Sequence, residues 1–284
     1  MSLAYLGTSE FAVGVLRRLA GTRFRPALVV TRPNRPRGRG RRLGSPPVAG
    51  AALELGLPLA QPDDVHELAF DQHGHVVVCA FGALIKEPLL AHPGLLNIHP
   101  SLLPRWRGAA PIERAIMTGD TSTGVCVMRI VAELDAGPVC ACAEERILPD
   151  DTYGTLSARL VDIAAELLLA ALAKPPECVE QSDEGAVYAE KIGPADRQLQ
   201  AGEPPEANER IVRALTPHIG AKAGELGVWG ARALSGSGPP SGELAVENSR
   251  LVWGCGDGAL ELLEVQPPGG KRMPAAAYIR GHQP

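Results

Sequence analysis

Asn97 and His99 are the pair of residues whose types and spacing first suggest catalysis. Both lie in the apolar run LLNIH, residues 95–99, which predicts a buried strand and is followed by the irregular, proline-containing segment PSLLPRWRG. Residues one apart on a strand point to the same face, so the amide and the imidazole are predicted to lie together. A lone histidine at a strand end more often has a structural role. With Asn97 on the same face, a catalytic role and a structural role are about equally favoured.

Asp135 is the carboxylate that could complete this set. It follows the apolar run TGVCVMRIV, residues 123–131, in the segment AELDAGP. Ligands of open α/β sheets bind beyond the carboxyl ends of strands, so we expect the ends of the two strands to bring Asp135 to His99. The alternative for Asp135 taken alone is a turn residue, since aspartate is common in turns with glycine.

An amide, an imidazole and a carboxylate, with no serine or cysteine nucleophile, suit an acyl transfer in which the substrate supplies the attacking amine. Asn97 and protonated His99 would donate to the oxygen that gains charge in the tetrahedral intermediate. Asp135 would orient His99 and help to take the proton of the amine. No covalent intermediate on the enzyme is needed.

The elements that must position these groups alternate between strand and helix. The predicted strands are 3–7, 26–30, 75–81, 95–99, 123–131 and 139–147, and the predicted helices are 9–20, 45–56 with Ser45 as N-cap, 110–119 and 150–173 with Asp151 or Thr152 as N-cap. Continuous apolar strands that alternate with helices indicate a doubly wound α/β fold with a mostly parallel sheet.

A second, smaller domain is predicted after a linker. Residues 193–206, GPADRQLQAGEPPE, have linker composition, which separates a catalytic domain over 1–192 from a domain over 207–284. The second domain contains the short helical segment ERIVRAL and the strand-like runs LGVWGARAL, ELAVENSRLVWGC and ALELLEV. These runs predict a β-rich, barrel-like module.

Positive charge is concentrated in one segment of a chain whose formal net charge is −4. Residues 32–42, RPNRPRGRGRR, contain six arginines and no acidic residue, which suits binding to one part of a polyanion or, with equal weight, a solvated loop. The first turn, GTSEF, lacks the glycine pattern of dinucleotide-binding enzymes, and the sequence has no P-loop motif. Nicotinamide and phosphoryl-transfer enzymes are therefore disfavoured.

The cysteines and the N-terminal segment indicate a cytoplasmic protein. The six cysteines occupy positions 79, 126, 140, 142, 178 and 255, without a C-x-x-C pair, so we expect small core residues and neither disulfides nor a metal site. MSLAYLGTSEF does not fit a signal peptide or a membrane span. We therefore expect no membrane contact, and a monomer.

Five longer segments resemble the 10-formyltetrahydrofolate-dependent formyltransferases, most closely the members that act on methionyl-tRNA. These segments are GTSEFA, RPNRPRGRGRRLGSPPV, NIHPSLLPRWRGAAPIERAI, TGVCVMRIVAELDAGPV and YAEKI. An Asn-x-His followed by a distant Asp is similar to the catalytic signature of this family and corresponds to Asn97, His99 and Asp135.

The resemblance implies a Rossmann-like catalytic domain, an OB-like C-terminal domain, and formyl transfer from 10-formyltetrahydrofolate to the α-amine of methionine on initiator methionyl-tRNA, for translation initiation. The residues that it implies at the folate are Ser101, Leu102, Leu103 and Pro104, with Phe81, Gly82, Ala83, Leu84 and Ile85 at the pteridine pocket. The residues that it implies at the tRNA acceptor end are Arg35, Arg37, Arg39, Arg41 and Arg42.

The sequence departs from the family after YAEKI, and two alternatives stay open. Members of the family usually have an arginine and then a tryptophan there, whereas this sequence has Arg197 and Leu199, followed by a shorter C-terminal module. A sugar-nucleotide formyltransferase is the enzymatic alternative, against which the arginine segment and the WRGAAP sequence argue. A catalytically silent nucleic-acid-binding protein is the other, disfavoured by the complete catalytic set.

Overall fold

The computed structural model describes residues 2–37, 42–236 and 238–282, without the side chains of Arg37 and Arg42. The chain forms two compact units. The first comprises Met1–Pro111, Thr123–Glu145 and Ser157–Ala189, and the second comprises Ile112–Ser122, Arg146–Leu156 and Glu190–Pro284. The division into domains 1–192 and 207–284 stays a prediction.

The first two thirds of the chain alternate between strands and helices. In order, they are β1 (Leu3–Gly7), α1 (Glu10–Ala20), β2 (Leu28–Val30), β3 (Arg35–Arg37), β4 (Arg42–Gly44), α2 (Pro47–Glu54), β5 (Leu59–Ala60), β6 (His75–Cys79), β7 (Leu95–His99), β8 (Arg107–Gly108), α3 (Pro111–Thr118), β9 (Ser122–Arg129), β10 (Val139–Arg146), α4 (Tyr153–Ala173) and β11 (Tyr188–Ala189).

The main sheet of the first unit has, within the described residues, seven strands in the order β10-β9-β7-β6-β1-β2-β5. The strands β5, β2, β1, β6 and β7 are parallel to one another, whereas β9 is antiparallel to β7. Strand β1 is buried along its whole length, as expected of a strand covered on both faces. This arrangement confirms the predicted mostly parallel α/β fold.

Helix α1 shows how the sequence sets one helix of this unit. Its N-cap Ser9 accepts a hydrogen bond from the Ala12 N–H, and the buried residues recur at helical spacing. At Gly14 an added Cβ would lie 2.7 Å from the side chain of Val161 on α4, so glycine permits the close packing of these helices. At α2 the prediction was wrong in detail, because Pro46 is the N-cap and Ser45 is not.

Two pairs of cysteines form disulfides, which corrects the prediction that all six are unpaired core residues. Cys126 on β9 is bonded to Cys142 on β10, and Cys140 on β10 is bonded to Cys178. The predicted strands 123–131 and 139–147 contain Cys126, Cys140 and Cys142, but the sequence could not show which cysteines face each other across neighbouring segments. In the described chain, Cys79 and Cys255 are free and buried.

The second unit contains the C-terminal elements. They are α5 (Pro205–Leu215), β12 (Ala221–Ala223), β13 (Leu226–Leu234), β14 (Leu244–Glu247), β15 (Arg250–Cys255), β16 (Gly258–Gln266), β17 (Met273–Pro274) and α6 (Ala275–Gly281). In the part of the chain that the structure describes, six of these strands form an antiparallel sheet in the order β12-β13-β16-β15-β14, with β17 on β16. The sheet curls into a half-barrel, which confirms the predicted β-rich module.

The segment predicted as a linker is ordered within this unit. Arg197 donates to the carbonyl oxygens of Gly220 and Ile219, at 3.0 Å each. Leu199, in the region where the family usually has a tryptophan, is buried in the apolar core of the unit with Val212 and Leu251. This departure from the family's pattern therefore lies in the apolar core of the unit.

None of the helices in the described ranges combines the length and the apolar character that crossing a membrane requires.

Candidate active site

Strand β7 places Asn97 and His99 at one face of the sheet. Asn97 pairs with Met128 and His99 with Cys126 across the antiparallel strand β9. The His99 residue is only 4% exposed. Both side chains lie within 3.6 Å of the carboxylate of Asp135, so they share a face, as the spacing predicted.

The imidazole of His99 is held by the backbone of the segment that follows it. Its Nε2 lies 2.7 Å from the carbonyl oxygen of Trp106. A carbonyl oxygen can only accept, so Nε2 carries the hydrogen in this contact. Trp106 has the left-handed φ of +63°, which turns the chain here. The other ring nitrogen, Nδ1, is therefore the one directed to the reacting groups.

The carboxylate of Asp135 lies opposite this nitrogen. Its Oδ2 is 3.6 Å from His99 Nδ1 and accepts a hydrogen bond of 2.8 Å from the Gly108 N–H. Its Oδ1 is 3.5 Å from Asn97 Nδ2. The distances to Asn97 and His99 are long for hydrogen bonds, and contacts of this kind in unliganded sites shorten when substrate binds.

The route by which Asp135 arrives differs from the predicted one. Strand β9 is antiparallel to β7, so its last residue, Arg129, pairs with Leu96 and lies away from His99. The loop 130–138 brings Asp135 to the site from there. The prediction that two parallel strand ends meet was wrong, because periodicity reports burial and does not report strand direction.

Glycine is required at position 108 because the chain passes another backbone there. Strand β8 pairs with β11, and Gly108 has a φ of +118°. A Cβ at this position would lie 2.8 Å from the carbonyl oxygen of Ala189. The N–H that fixes Asp135 is thus set by a conformation that other residues rarely adopt.

Arg107 and Gln181 belong to the surroundings of this site, and neither is among the candidate site residues that the sequence predicts. Arg107 is 1% exposed, and its Nε donates to Gln181 Oε1 at 3.1 Å. Gln181 in turn donates to the backbone of the loop that carries Asp135. An arginine inside the NIHPSLLPRWRG segment was a visible signal, whereas Gln181 lies in a segment without any motif.

The residues implied at the folate occupy two loops with different degrees of burial. Ser101 is fully buried, and its hydroxyl donates to the Arg105 carbonyl oxygen at 2.8 Å, so it stabilises the loop. Leu102, Leu103 and Pro104, which follow His99 in sequence, are half-buried. In the second loop, Phe81 and Ile85 are core residues, while Ala83 is half-buried and Gly82 and Leu84 are exposed.

Of the arginines implied at the tRNA, the structure describes the side chain of Arg35, which is exposed. Arg37 and Arg42 pair with each other in the antiparallel ribbon of β3 and β4, but their side chains lie outside the description. Arg39 and Arg41 lie outside the described residues.

This geometry suits acid–base chemistry at a carbonyl group. In the protonated form of the ring, His99 Nδ1 can donate toward one oxygen atom together with Asn97 Nδ2, while Asp135 can accept a proton beside them. Cys126, the cysteine that pairs with His99 across the sheet, is disulfide-bonded and so offers no thiol. The arrangement suits a transferase in which an external nucleophile attacks a substrate carbonyl carbon.

Two family matches cover almost all of the chain. Residues 1–172 match the family described as formyl transferase, and residues 191–283 match the one described as formyl transferase, C-terminal domain. The chain therefore belongs to the formyl transferase family.

Curated relatives narrow this assignment to one branch of the family. A methionyl-tRNA formyltransferase from Paracoccus denitrificans is 42% identical over 294 residues, which cover 99% of this chain and 97% of that protein. Another, from Dechloromonas aromatica, is 38% identical over 295 residues, with coverage of 99% and 96%. The branch is that of the methionyl-tRNA formyltransferases, in agreement with the sequence resemblance.

Solved structures of lower identity share the fold. The sugar 3N-formyl transferase WlaRD, crystallised with dTDP and 5-N-formyl-THF, has a TM-score of 0.70 at 15% identity, over 92% of this chain and 97% of that chain. The N-formyltransferase from Helicobacter canadensis, in complex with folinic acid and dTDP-3-aminofucose, has a TM-score of 0.70 at 16% identity, over 96% and 100%. At these identities the likeness concerns the fold alone.

Proposed function

We propose that the protein transfers the formyl group of 10-formyltetrahydrofolate to the α-amine of methionine on initiator methionyl-tRNA, for translation initiation. The observation that carries the proposal is the grouping of Asn97, His99 and Asp135, with His99 Nε2 bound to Trp106 and Nδ1 directed toward Asp135. The curated relatives, at about 40% identity over nearly the whole chain, support the same reaction.

The three side chains divide the work of one acyl transfer. As the amine nitrogen bonds to the formyl carbon, Asn97 Nδ2 and His99 Nδ1–H donate to the formyl oxygen, which gains negative charge. Asp135 accepts the proton that the amine loses, directly or through water. The carbonyl bond then re-forms as the bond from the formyl carbon to the folate nitrogen breaks, and that nitrogen takes up the proton that Asp135 accepted, directly or through water.

The residues near His99 fit a folate donor. Leu102, Leu103 and Pro104 form a half-buried apolar segment within five residues of His99, suited to packing against the flat faces of the folate rings. The exposed backbone around Gly82 offers polar groups, and Thr8 fixes this loop by donating to the Phe81 carbonyl oxygen at 2.7 Å. We infer that these two loops bind the donor.

The arginine segment fits the acceptor end of tRNA. Six arginines in residues 32–42 can bind phosphates and stack on unpaired bases, as recognition of single-stranded RNA ends requires. The segment begins directly after β2, whose carboxyl end lies at the ligand-binding edge of a parallel sheet. Arg35, Arg37, Arg39, Arg41 and Arg42 are therefore proposed to contact the tRNA.

A parallel assay tests this function. Purified protein is given 10-formyltetrahydrofolate with either methionyl initiator tRNA or an amino-sugar nucleotide, and the His99→Ala protein serves as the control. We expect formylation of the tRNA only, lost in the control. Formylation of the sugar alone would keep the chemistry but replace the substrate, and no formylation of either would reject the enzymatic proposal.

A further inference from the structure

The loop that carries Asp135 is supported from outside itself. Asp135 has a φ of +49°, which residues other than glycine rarely adopt. The four residues before it are exposed. Where the loop begins and ends, the Arg129 N–H donates to the Pro138 carbonyl oxygen at 2.9 Å. The turn itself needs other contacts to keep the carboxylate opposite His99.

The side-chain amide of Gln181 supplies these contacts. Its Nε2 donates to the carbonyl oxygens of Asp135, at 2.8 Å, and Gly137, at 2.7 Å. Its Oε1 accepts from Arg107 Nε at 3.1 Å. Both amide hydrogens and the amide oxygen are used, so the amide has only one orientation that satisfies its neighbours.

Arg107 anchors this amide to the segment that holds the rest of the site. Its Nη1 lies 3.1 Å from Asp183 Oδ1, in the same segment as Gln181. Burial by itself would lower the pKa of the Arg107 guanidinium, but its contacts with Tyr188 and Asp183 outweigh burial and raise that pKa. Arg107 thus stays charged, as its contact with the Gln181 oxygen requires.

Strand β8 and the residue before it contact both catalytic side chains through the backbone. The Gly108 N–H donates to Asp135 Oδ2, and the Trp106 carbonyl oxygen accepts from His99. Arg107 lies between these two residues. Gln181 therefore connects the segment that fixes His99 with the loop that presents Asp135.

We propose that Gln181, oriented by Arg107, is a positioning residue for formyl transfer that holds Asp135 in place opposite His99 Nδ1. This role rests on the proposed function for its chemistry. Gln181 contacts the backbone of the Asp135 loop and does not contact the reacting atoms. Its loss should therefore lower the rate of the chemical step and leave the binding of both substrates intact.

Three variants test this role. Gln181→Ala removes the amide. Gln181→Glu keeps its size and can still accept from Arg107, but it sets an oxygen against two carbonyl oxygens. Glu180→Ala, at the exposed neighbouring position, is the matched control. We expect both Gln181 variants to lower kcat by roughly tenfold to a hundredfold, because small displacements of catalytic groups have effects of this size, with KM for both substrates within about twofold.

A double variant separates positioning from general structural support. If Gln181 acts through Asp135, then Gln181→Ala should lower kcat by less than about twofold when Asp135 is already asparagine. A kcat of Gln181→Ala near that of the unaltered protein overturns the proposal. An equal loss in the presence and absence of the Asp135 carboxylate also overturns it, since the effect would then arise elsewhere.

A measurement that needs no substrate keeps this test separate from the proposed function. Hydrogen exchange of the Gly108 N–H, followed by NMR, reports on its bond to Asp135 Oδ2. We expect exchange to be roughly tenfold faster in Gln181→Ala and unchanged in Glu180→Ala. Unchanged exchange in Gln181→Ala overturns the positioning role even if methionyl-tRNA proves not to be the substrate. Absence of formyl transfer by the unaltered protein would reject the proposed function alone.

Discussion

His99 donates through Nε2 to the carbonyl oxygen of Trp106, 2.7 Å away, and this bond leaves Nδ1 as the ring nitrogen that can face a substrate. Because Nε2 is used in holding the ring, a donor toward a substrate oxygen has to be Nδ1, which carries a hydrogen when the ring is protonated. The hydrogen bond also links His99 to the segment that follows it in sequence, so the orientation of the ring is a local property of residues 99–106.

The identity of the reacting nitrogen predicts an order among variants at position 99. The amide nitrogen of an asparagine side chain reaches about where Nδ1 lies, whereas that of glutamine reaches about where Nε2 lies. We expect kcat in the order His99, His99→Asn, His99→Gln, with the last at least about a hundredfold below the unaltered protein. Steady-state kinetics of formyl transfer give the order, and a His99→Gln protein as active as His99→Asn would contradict it.

Asp135→Asn separates proton transfer from placement. The new side-chain oxygen can still accept from the Gly108 N–H, so the loop should keep its position, but an amide does not take a proton from the amine. We expect kcat to fall by roughly a hundredfold or more and KM to stay within about twofold. If Asp135→Asn had the kcat and the pH–rate profile of the unaltered protein, Asp135 would be a turn residue without a role in proton transfer.

Gly108→Ala tests the close packing of the β8 backbone against β11 at Ala189. The added methyl group would meet the Ala189 carbonyl oxygen at 2.8 Å in a left-handed conformation, so the chain must shift. We expect a loss of about 1–3 kcal/mol in the free energy of unfolding, together with a lower kcat as the N–H moves from Asp135. Urea unfolding and kinetics measure both, and Gly50→Ala, where nothing lies within 4 Å of the added Cβ, is the control.

The disulfides predict a thiol count. The structure pairs Cys126 with Cys142 and Cys140 with Cys178, which leaves Cys79 and Cys255 free in the described chain. Titration of the denatured protein should therefore find two thiols without reductant and six after reduction. Six thiols in unreduced protein would return these residues to the core role that the sequence predicted.

In the second unit, the lowered pKa of Asp196 predicts how the free energy of unfolding changes with pH. Its pKa is lowered, chiefly by a hydrogen bond from Arg114 and also by the Gly193 N–H, against the opposing effect of burial. A carboxyl whose folded pKa is depressed stabilises the fold above its ordinary pKa of 3.8, and this contribution is lost as pH falls through the folded pKa.

Asp196→Asn should remove that contribution. We expect a loss of roughly 1 kcal/mol in the free energy of unfolding at pH 7, since the group is partly exposed, and a smaller further loss on acidification than the unaltered protein shows. Chemical unfolding at pH 7 and near pH 3 measures both values. The exposed Asp71→Asn is the control, and parallel acid curves for Asp196→Asn and the unaltered protein would contradict the assignment.

The sequence by itself determined the fold class and the shared face of Asn97 and His99. It also identified Asp135 as the candidate carboxylate of the site. Burial of apolar runs and the two-residue period of a strand are local properties, so they can be read along the chain. The family was equally accessible, because its motifs are contiguous segments.

Tertiary structure alone decided how Asp135 reaches His99 and what supports it. The direction of β9, the pairing of cysteines 16 and 38 residues apart, and the contact of Gln181 with a loop 46 residues earlier depend on which segments become neighbours in space. Sequence periodicity carries no record of strand direction or of contacts between distant residues. The hydrogen bond that leaves Nδ1 of His99 facing the site likewise required the turn at Trp106. The left-handed backbone of that turn could not be predicted from a tryptophan in the sequence.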